Sequence, residues 1–181
     1  MIIRNYHELT SKGNIEGRET VLKIIEAALE QVNSYNLVKE QVKLEKNLRI
    51  GPLKYDLKKV KDLFVVGGGK QVTFVASALE DVLASRIREG VVVEKKGCGR
   101  KTKKIRVVEG GHPIPDDGSV TGAEEILQIA RKAEKDDLVI VCVTGGCTSL
   151  TMLPPEGITL EDAREVCKLL LDSGAPLEDM N

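Results

Sequence analysis

The chain has 181 residues, 27 Lys+Arg against 28 Asp+Glu, 41% hydrophobic residues and no Trp, the composition of one globular domain. A formal net charge of −1 supplies no overall field for nucleic acid or an anionic membrane, and no run reaches the roughly 18 apolar residues of a membrane span. Aromatic residues make up only 3%, too few for the stacking platforms of most RNA-binding modules.

In chain order, Val21, Leu22, Ile24, Ile25, Ala28, Leu29 and Val32 recur at helical spacing and predict one amphipathic helix over about residues 17–34. The stretches 44–50 and 53–55 alternate in polarity around Gly51-Pro52 and predict a small hairpin. Leu63-Phe64-Val65-Val66 is a continuous apolar run, the pattern of a strand buried on both faces, and it stops at Gly67-Gly68-Gly69. A helix follows, with Val72, Val75, Ala76, Leu79, Val82, Leu83 and Ile87 on its apolar side. Gly90 is expected to end it before strand resumes at Val91-Val92-Val93. Ile105 to Val108 is a further strand, and Thr121-x-x-Glu124 reads as the capping box of a helix carrying Ile126, Leu127, Ile129, Ala130 and Ala133. Leu138 to Val143 reads as another buried strand. Thr159-x-x-Asp162 caps a final helix that ends near Ser173-Gly174.

Strands alternating with amphipathic helices predict an α/β fold: a three-layer, mostly parallel, Rossmann-like sheet behind a short N-terminal helix and hairpin. Strand order is not legible. Cys98, Cys142, Cys147 and Cys167 fall at irregular spacings without a C-x-x-C pair, and the N-terminal residues show no signal-peptide core. These features predict a reduced cytoplasmic protein whose cysteines bind no metal. Lys95, Lys96, Arg100, Lys101, Lys103, Lys104 and Arg106 form a basic stretch, read first as a solvated loop and second as an attractor of phosphate.

Ligands of open α/β sheets bind beyond the carboxyl ends of the strands, so the glycine-containing loops after Val66, Val108 and Val143 are the candidate site. Gly67-Gly68-Gly69-Lys70 runs directly into a helix, whose first amides and dipole favour an anion. Lys70 opposes that dipole unless an anion sits beside it. A dinucleotide G-x-G-x-x-G would use Gly67 and Gly69 but meets Val72 at its third glycine, although Glu94 stands where a ribose-binding acid belongs. A Walker A loop fails at Phe64 and at Gln71. The loop Thr144-Gly145-Gly146-Cys147-Thr148-Ser149 offers bare backbone and three hydroxyls to a carboxylate or phosphate. The third loop, 110–118, contains two prolines and three glycines and presents His112, Asp116 and Asp117. His112 is an acid, a base or a substrate contact, or else a structural loop histidine.

Three segments in this order, Phe64 to Lys70, Glu109 to Asp116 and Val143 to Leu150, followed by Pro155 to Asp162, resemble the N-terminal part of the two-domain glycerate 2-kinases. That family has long been labelled hydroxypyruvate reductases, and its C-terminal domain is called MOFRL. The resemblance implies ATP-dependent phosphorylation of D-glycerate to 2-phosphoglycerate with Mg²⁺ or another divalent cation, in a cytoplasmic enzyme with its cleft between two α/β domains. It implies a catalytic role for Lys70, ATP binding at Gly67, Gly68 and Gly69, and glycerate binding at Gly145, Gly146, Thr148, Ser149, His112 and Asp116. It assigns no metal ligands. Cys147 replaces a glycine usual in the family. On this reading residues 1–181 are one wall of the cleft, and the C-terminal domain is supplied in cis or in trans. Two alternatives stay open: an NAD(P)-dependent oxidoreductase acting on a small hydroxy acid, and a non-catalytic scaffold that docks a partner domain or forms a homo-oligomer through the final helix.

Overall fold

The computed structural model describes residues 2–176. Three helices open the chain: α1 (Tyr6–Leu9), α2 (Ile15–Gln31) and α3 (Ser34–Gln41). The helix expected over 17–34 is α2, and a further helix that the sequence reading did not include, α3, starts after Asn33, whose side chain accepts from the amides of Tyr35 and Asn36. The expected hairpin is a three-stranded antiparallel sheet, β1 (Val42–Leu44), β2 (Leu48–Ile50) and β3 (Leu53–Tyr55), because residues 45–47 turn within what reads as one strand.

The main sheet contains β4 (Leu63–Gly68), β5 (Ile87–Lys95), β6 (Arg106–Gly110) and β7 (Leu138–Val143), in the order β6-β5-β4-β7 and parallel throughout. Helix α4 (Val72–Leu83) joins β4 to β5 and α5 (Asp117–Lys132) joins β6 to β7. Side chains alternate between the faces: Leu63, Val65 and Val92 pack with Val72, Ala76, Leu79 and Leu83 of α4. Phe64, Val66, Val91 and Val108 pack with Ile129 of α5. The sheet is therefore the middle of three layers, and each fully buried large aliphatic or Phe side chain stabilises it by roughly 1.5–3 kcal/mol.

Several boundaries differ from the sequence reading. Helix α4 stops at Leu83, and Gly90 lies inside β5 rather than ending a helix. Helix α5 begins a turn before Thr121: Asp116 is its N-cap and forms a capping box with Ser119, a second box that outcompetes Thr121-x-x-Glu124. β7 is an edge strand, with Val141 and Val143 64% and 68% exposed and Cys142 turned inward. The Thr159–Asp162 box and the left-handed Gly174 bound the last helix, α7 (Leu160–Ser173), as the sequence predicts.

The parallel strands β5 and β6 are joined by no helix. Residues 96–105 instead run back over α4, where the buried Glu80 carboxylate accepts the amides of Lys103, Lys104 and Ile105 at 2.7 Å each. The backbone of the basic stretch is fastened, not merely solvated. Among the described residues no helix is long and apolar enough to cross a membrane.

Candidate anion-binding site

Helix α4 starts after Gln71, a residue in the left-handed region at φ 67°. Glu94, at the carboxyl end of β5 and fully buried, reaches into that first turn. Its carboxylate accepts from Gln71 N at 2.9 Å, Thr73 N at 3.2 Å and Thr73 Oγ1 at 2.9 Å. The remaining early amides are also engaged: Gly69 N on Val93 O, Lys70 N on Gly145 O and Val72 N on Gly69 O. The phosphate expected on these amides meets a position already filled by the protein's own anion. The same geometry corrects the reading of Glu94 as a ribose-binding acid, since its oxygens are committed inside the fold.

Gly67, Gly68 and Gly69 are buried, and close approach explains why they are glycines. A Cβ would fall 1.9 Å from the Cys142 carbonyl oxygen, 2.4 Å from Thr151 Cγ2 and 2.1 Å from Thr144 Oγ1, respectively. Without side chains, the end of β4 lies directly on the loop after β7, and the Lys70 N to Gly145 O bond of 2.8 Å locks the two loops together.

That locking brings four of the sequence-selected residues together. Lys70 Cε lies 3.8 Å and 3.5 Å from where Cβ atoms of Gly145 and Gly146 would stand, and His112 Nε2 lies 2.4 Å from the latter position. His112 follows β6 at one edge of the sheet and Gly146 follows β7 at the other, so the loop after β6 spans the carboxyl ends of the strands between. The imidazole is held below its ordinary value, first by burial and then by the positive charges of Lys70 and Lys95. Both causes favour the neutral imidazole. Lys70 makes no ion pair among the described residues, and the amides of Gly145 and Gly146 find no acceptor there. The buried Thr144 Oγ1 is likewise without a hydrogen-bond partner.

The other selected residues have different tasks. Asp116 accepts from Gly111 N at 2.9 Å and Ser119 N at 3.1 Å and pairs with Lys96. Burial alone would raise its carboxyl, but the Lys96 ammonium and the two amides together hold it below the usual range. It is thus a cap and a loop tie rather than an open substrate contact. Thr148 and Ser149 lie on the short helix α6 (Cys147–Leu150), where Ser149 Oγ donates to Gly146 O at 3.3 Å. Cys147 Sγ sits 3.5 Å from Thr151 Oγ1 beneath the loop. Cys142, pushed up to about 12 by burial, is an inert core thiol.

The described residues do not fit a divalent cation: no three of His, Cys, Asp and Glu gather among them, and Asp116 is tied to Lys96. Two clefts of about 420 and 390 Å³ lie at the opposite end of the sheet, where the strands begin. In their walls Arg106, Lys132, Arg88 and Lys61 pair with Glu125, Glu89, Asp62 and Glu134, and Lys104 donates to the Ile87 carbonyl.

A family model described as "Domain of unknown function (DUF4147)" matches residues 20–181. The chain belongs to that family. It is 36% identical over 165 residues to a glycerate 2-kinase of Pyrococcus horikoshii, covering 91% of this chain and 37% of that protein. A D-glycerate 2-kinase of Thermotoga maritima is 34% identical over 66% of this chain and 29% of its own length. Among solved structures, a protein of Pyrococcus horikoshii OT3 superposes with a TM-score of 0.77 at 35% identity, covering 89% of this chain and 36% of that one. The glycerate kinase of Thermotoga maritima gives 0.70 at 30% identity, over 88% and 36%. The α/β fold with a parallel sheet is therefore shared with these proteins, and the chain spans little more than a third of their length.

Proposed function

We propose that this chain forms one wall of a glycerate 2-kinase active site, in which phosphate passes from ATP to D-glycerate. The observation that carries the reading is the Lys70 ammonium, free of any carboxylate among the described residues and held against Gly145, Gly146 and His112 at the carboxyl edge of the sheet. Family membership and the names of the relatives support it.

In this mechanism Lys70 offsets charge on the transferred group, where a preorganised cation stabilises the transition state most. The Gly145 and Gly146 amides offer hydrogen bonds to the acceptor's carboxylate, and the neutral His112 imidazole has the protonation state needed to take a proton from its hydroxyl. Gly67, Gly68 and Gly69 serve ATP indirectly: they let the backbone approach closely enough to aim Lys70. Thr148 and Ser149 border the acceptor, and Asp116 fixes the loop that carries His112. The kinase reading implies Mg²⁺ or another divalent cation with ATP, for which the described residues assemble no site. The nicotinamide reading loses its support with Glu94 turned inward.

Titration of the chain with D-glycerate and with ATP, followed by NMR, tests the proposal. We expect weak binding, on the order of millimolar for the few contacts of one wall, and a loss of at least about tenfold in Lys70→Ala, equal to about 1.4 kcal/mol. Equal binding by the variant would remove Lys70 from the site.

A further inference from the structure

Lys95 is the last residue of β5, and its register partner is Gly110 of β6, two residues before His112. Alternation along β5 separates it from Glu94. Glu94 points to the α4 side, whereas Val93 packs against Gly110 and Gly122 of the α5 side, and Lys95 shares that face. This is the face over which the loop carrying His112 passes.

The basic stretch that begins at Lys95 is otherwise well matched. Lys96 pairs with Asp116, Lys103 with Asp81 and Arg106 with Glu125. Lys104 Nζ donates to Ile87 O, and the Arg100 guanidinium lies over the Tyr35 ring at 4.5 Å. Lys101 is exposed, as a solubilising lysine is. Lys95 alone of this stretch is half-buried yet makes no ion pair or side-chain hydrogen bond among the described residues. It stands at the carboxyl edge of the sheet beside His112, which also feels Lys70. Lys70 and Lys95 thus both bring positive charge to the end of the sheet where His112 lies, and neither is paired with a carboxylate among the described residues, an arrangement that a bound anion would neutralise.

We propose that Lys95 is the second cation of the Lys70 site, and that the pair holds a doubly charged phosphate group in preference to a lone carboxylate. The inference rests on the phosphoryl-transfer reading and sharpens it. Two ammonium ions balance a phosphate dianion, whereas a monocarboxylate leaves one of them unmatched. Lysine suits this role as a compact, mobile point charge that follows a phosphate without fixed fork geometry.

The test measures binding of inorganic phosphate and of D-glycerate to the 181-residue chain at pH 8 through the imidazole proton signals, and the His112 pKa by a separate pH titration of the same signals with and without each probe. The chain has only two histidines, and His7→Gln assigns the signal of His112. Phosphate is expected to raise the His112 pKa and to bind at least tenfold more weakly to Lys95→Met, while glycerate weakens less than threefold. Lys95→Met without ligand is expected to raise the His112 pKa, and Lys95→Arg to retain phosphate binding. Lys101→Met, which removes the same charge from the exposed loop, is expected to leave both probes unchanged. Undiminished phosphate binding in Lys95→Met, or an equal loss in Lys101→Met, would overturn the assignment while leaving Lys70 in place. Absence of binding by the unsubstituted chain to either probe would overturn the assignment and the reading on which it rests.

Discussion

His112 shows how a single residue here takes its chemistry from neighbours far away in sequence. Burial and the charges of Lys70 and Lys95 depress its pKa from 6.5, so in the window below about 6.5 the unfolded chain binds a proton that the folded chain refuses. Its contribution is therefore complete above pH 6.5 and is lost as pH falls toward the folded value. Urea titrations between pH 7.5 and 5 are expected to show stability declining with pH, and His112→Gln should flatten that slope. An unchanged slope in the variant would mean that neither burial nor the two lysines depresses the imidazole in the folded chain. Asp116 acts in a separate window, since its depressed carboxyl loses its contribution only below about 3.8. The sequence makes His112 and Lys70 legible as candidates because both follow a strand and a glycine. It does not show Glu94 filling the α4 N-terminus, because that contact joins residues 21 and 23 positions apart through a packed sheet. Lys95 is hidden for a similar reason: within a basic run, only the three-dimensional pairing of its neighbours sets it apart.

At the scale of elements, the hydrophobic period identifies β4, α4, α5, β7 and α7 by type, because burial against one or two faces writes itself into the sequence. Boundaries are decided by caps, and where two capping boxes overlap, as Asp116–Ser119 and Thr121–Glu124 do, periodicity has no means of choosing between them. The connection from β5 to β6 is the least legible, since its backbone is tied to residues distant in sequence: Gly97 N donates to Glu109, Arg100 N to Thr73 and residues 103–105 to Glu80 of α4. Glu80 accepts three consecutive amides there, and a glutamine offers one acceptor oxygen in place of two. Glu80→Gln is expected to speed hydrogen exchange at Lys103, Lys104 and Ile105 by at least about tenfold, each lost buried bond amounting to roughly 1–3 kcal/mol. The amides of β4 should keep their protection. If exchange in 103–105 stayed slow, the loop would be held by its own turns and not by α4.

Across the whole molecule, burial is lopsided. The core lies between α4, the sheet and α5, whereas α2 and α7 bury no residue and the outer side chains of β7 face solvent. Exposed Val141 and Val143 are continuous with the strand that leads into Gly145 and Gly146, so one wall of the proposed site rests on a sheet edge with apolar cover on a single face. Phosphoryl transfer needs donor, acceptor and cation held in line in a water-poor cleft, and a misplacement of about 1 Å can cost roughly 100-fold in rate. Anion binding asks only for local charge and a few donors, the part proposed above for Lys70, Lys95 and the Gly145–Gly146 turn. The 181 residues by themselves, little more than a third of the relatives' length, are therefore expected to bind phosphate and glycerate weakly and to form no ADP from ATP, Mg²⁺ and D-glycerate in a coupled assay. Turnover at the roughly 1–100 s⁻¹ of ordinary kinases would mean that these residues close a complete cleft, and that the acceptor and the cation are held by groups other than those assigned above.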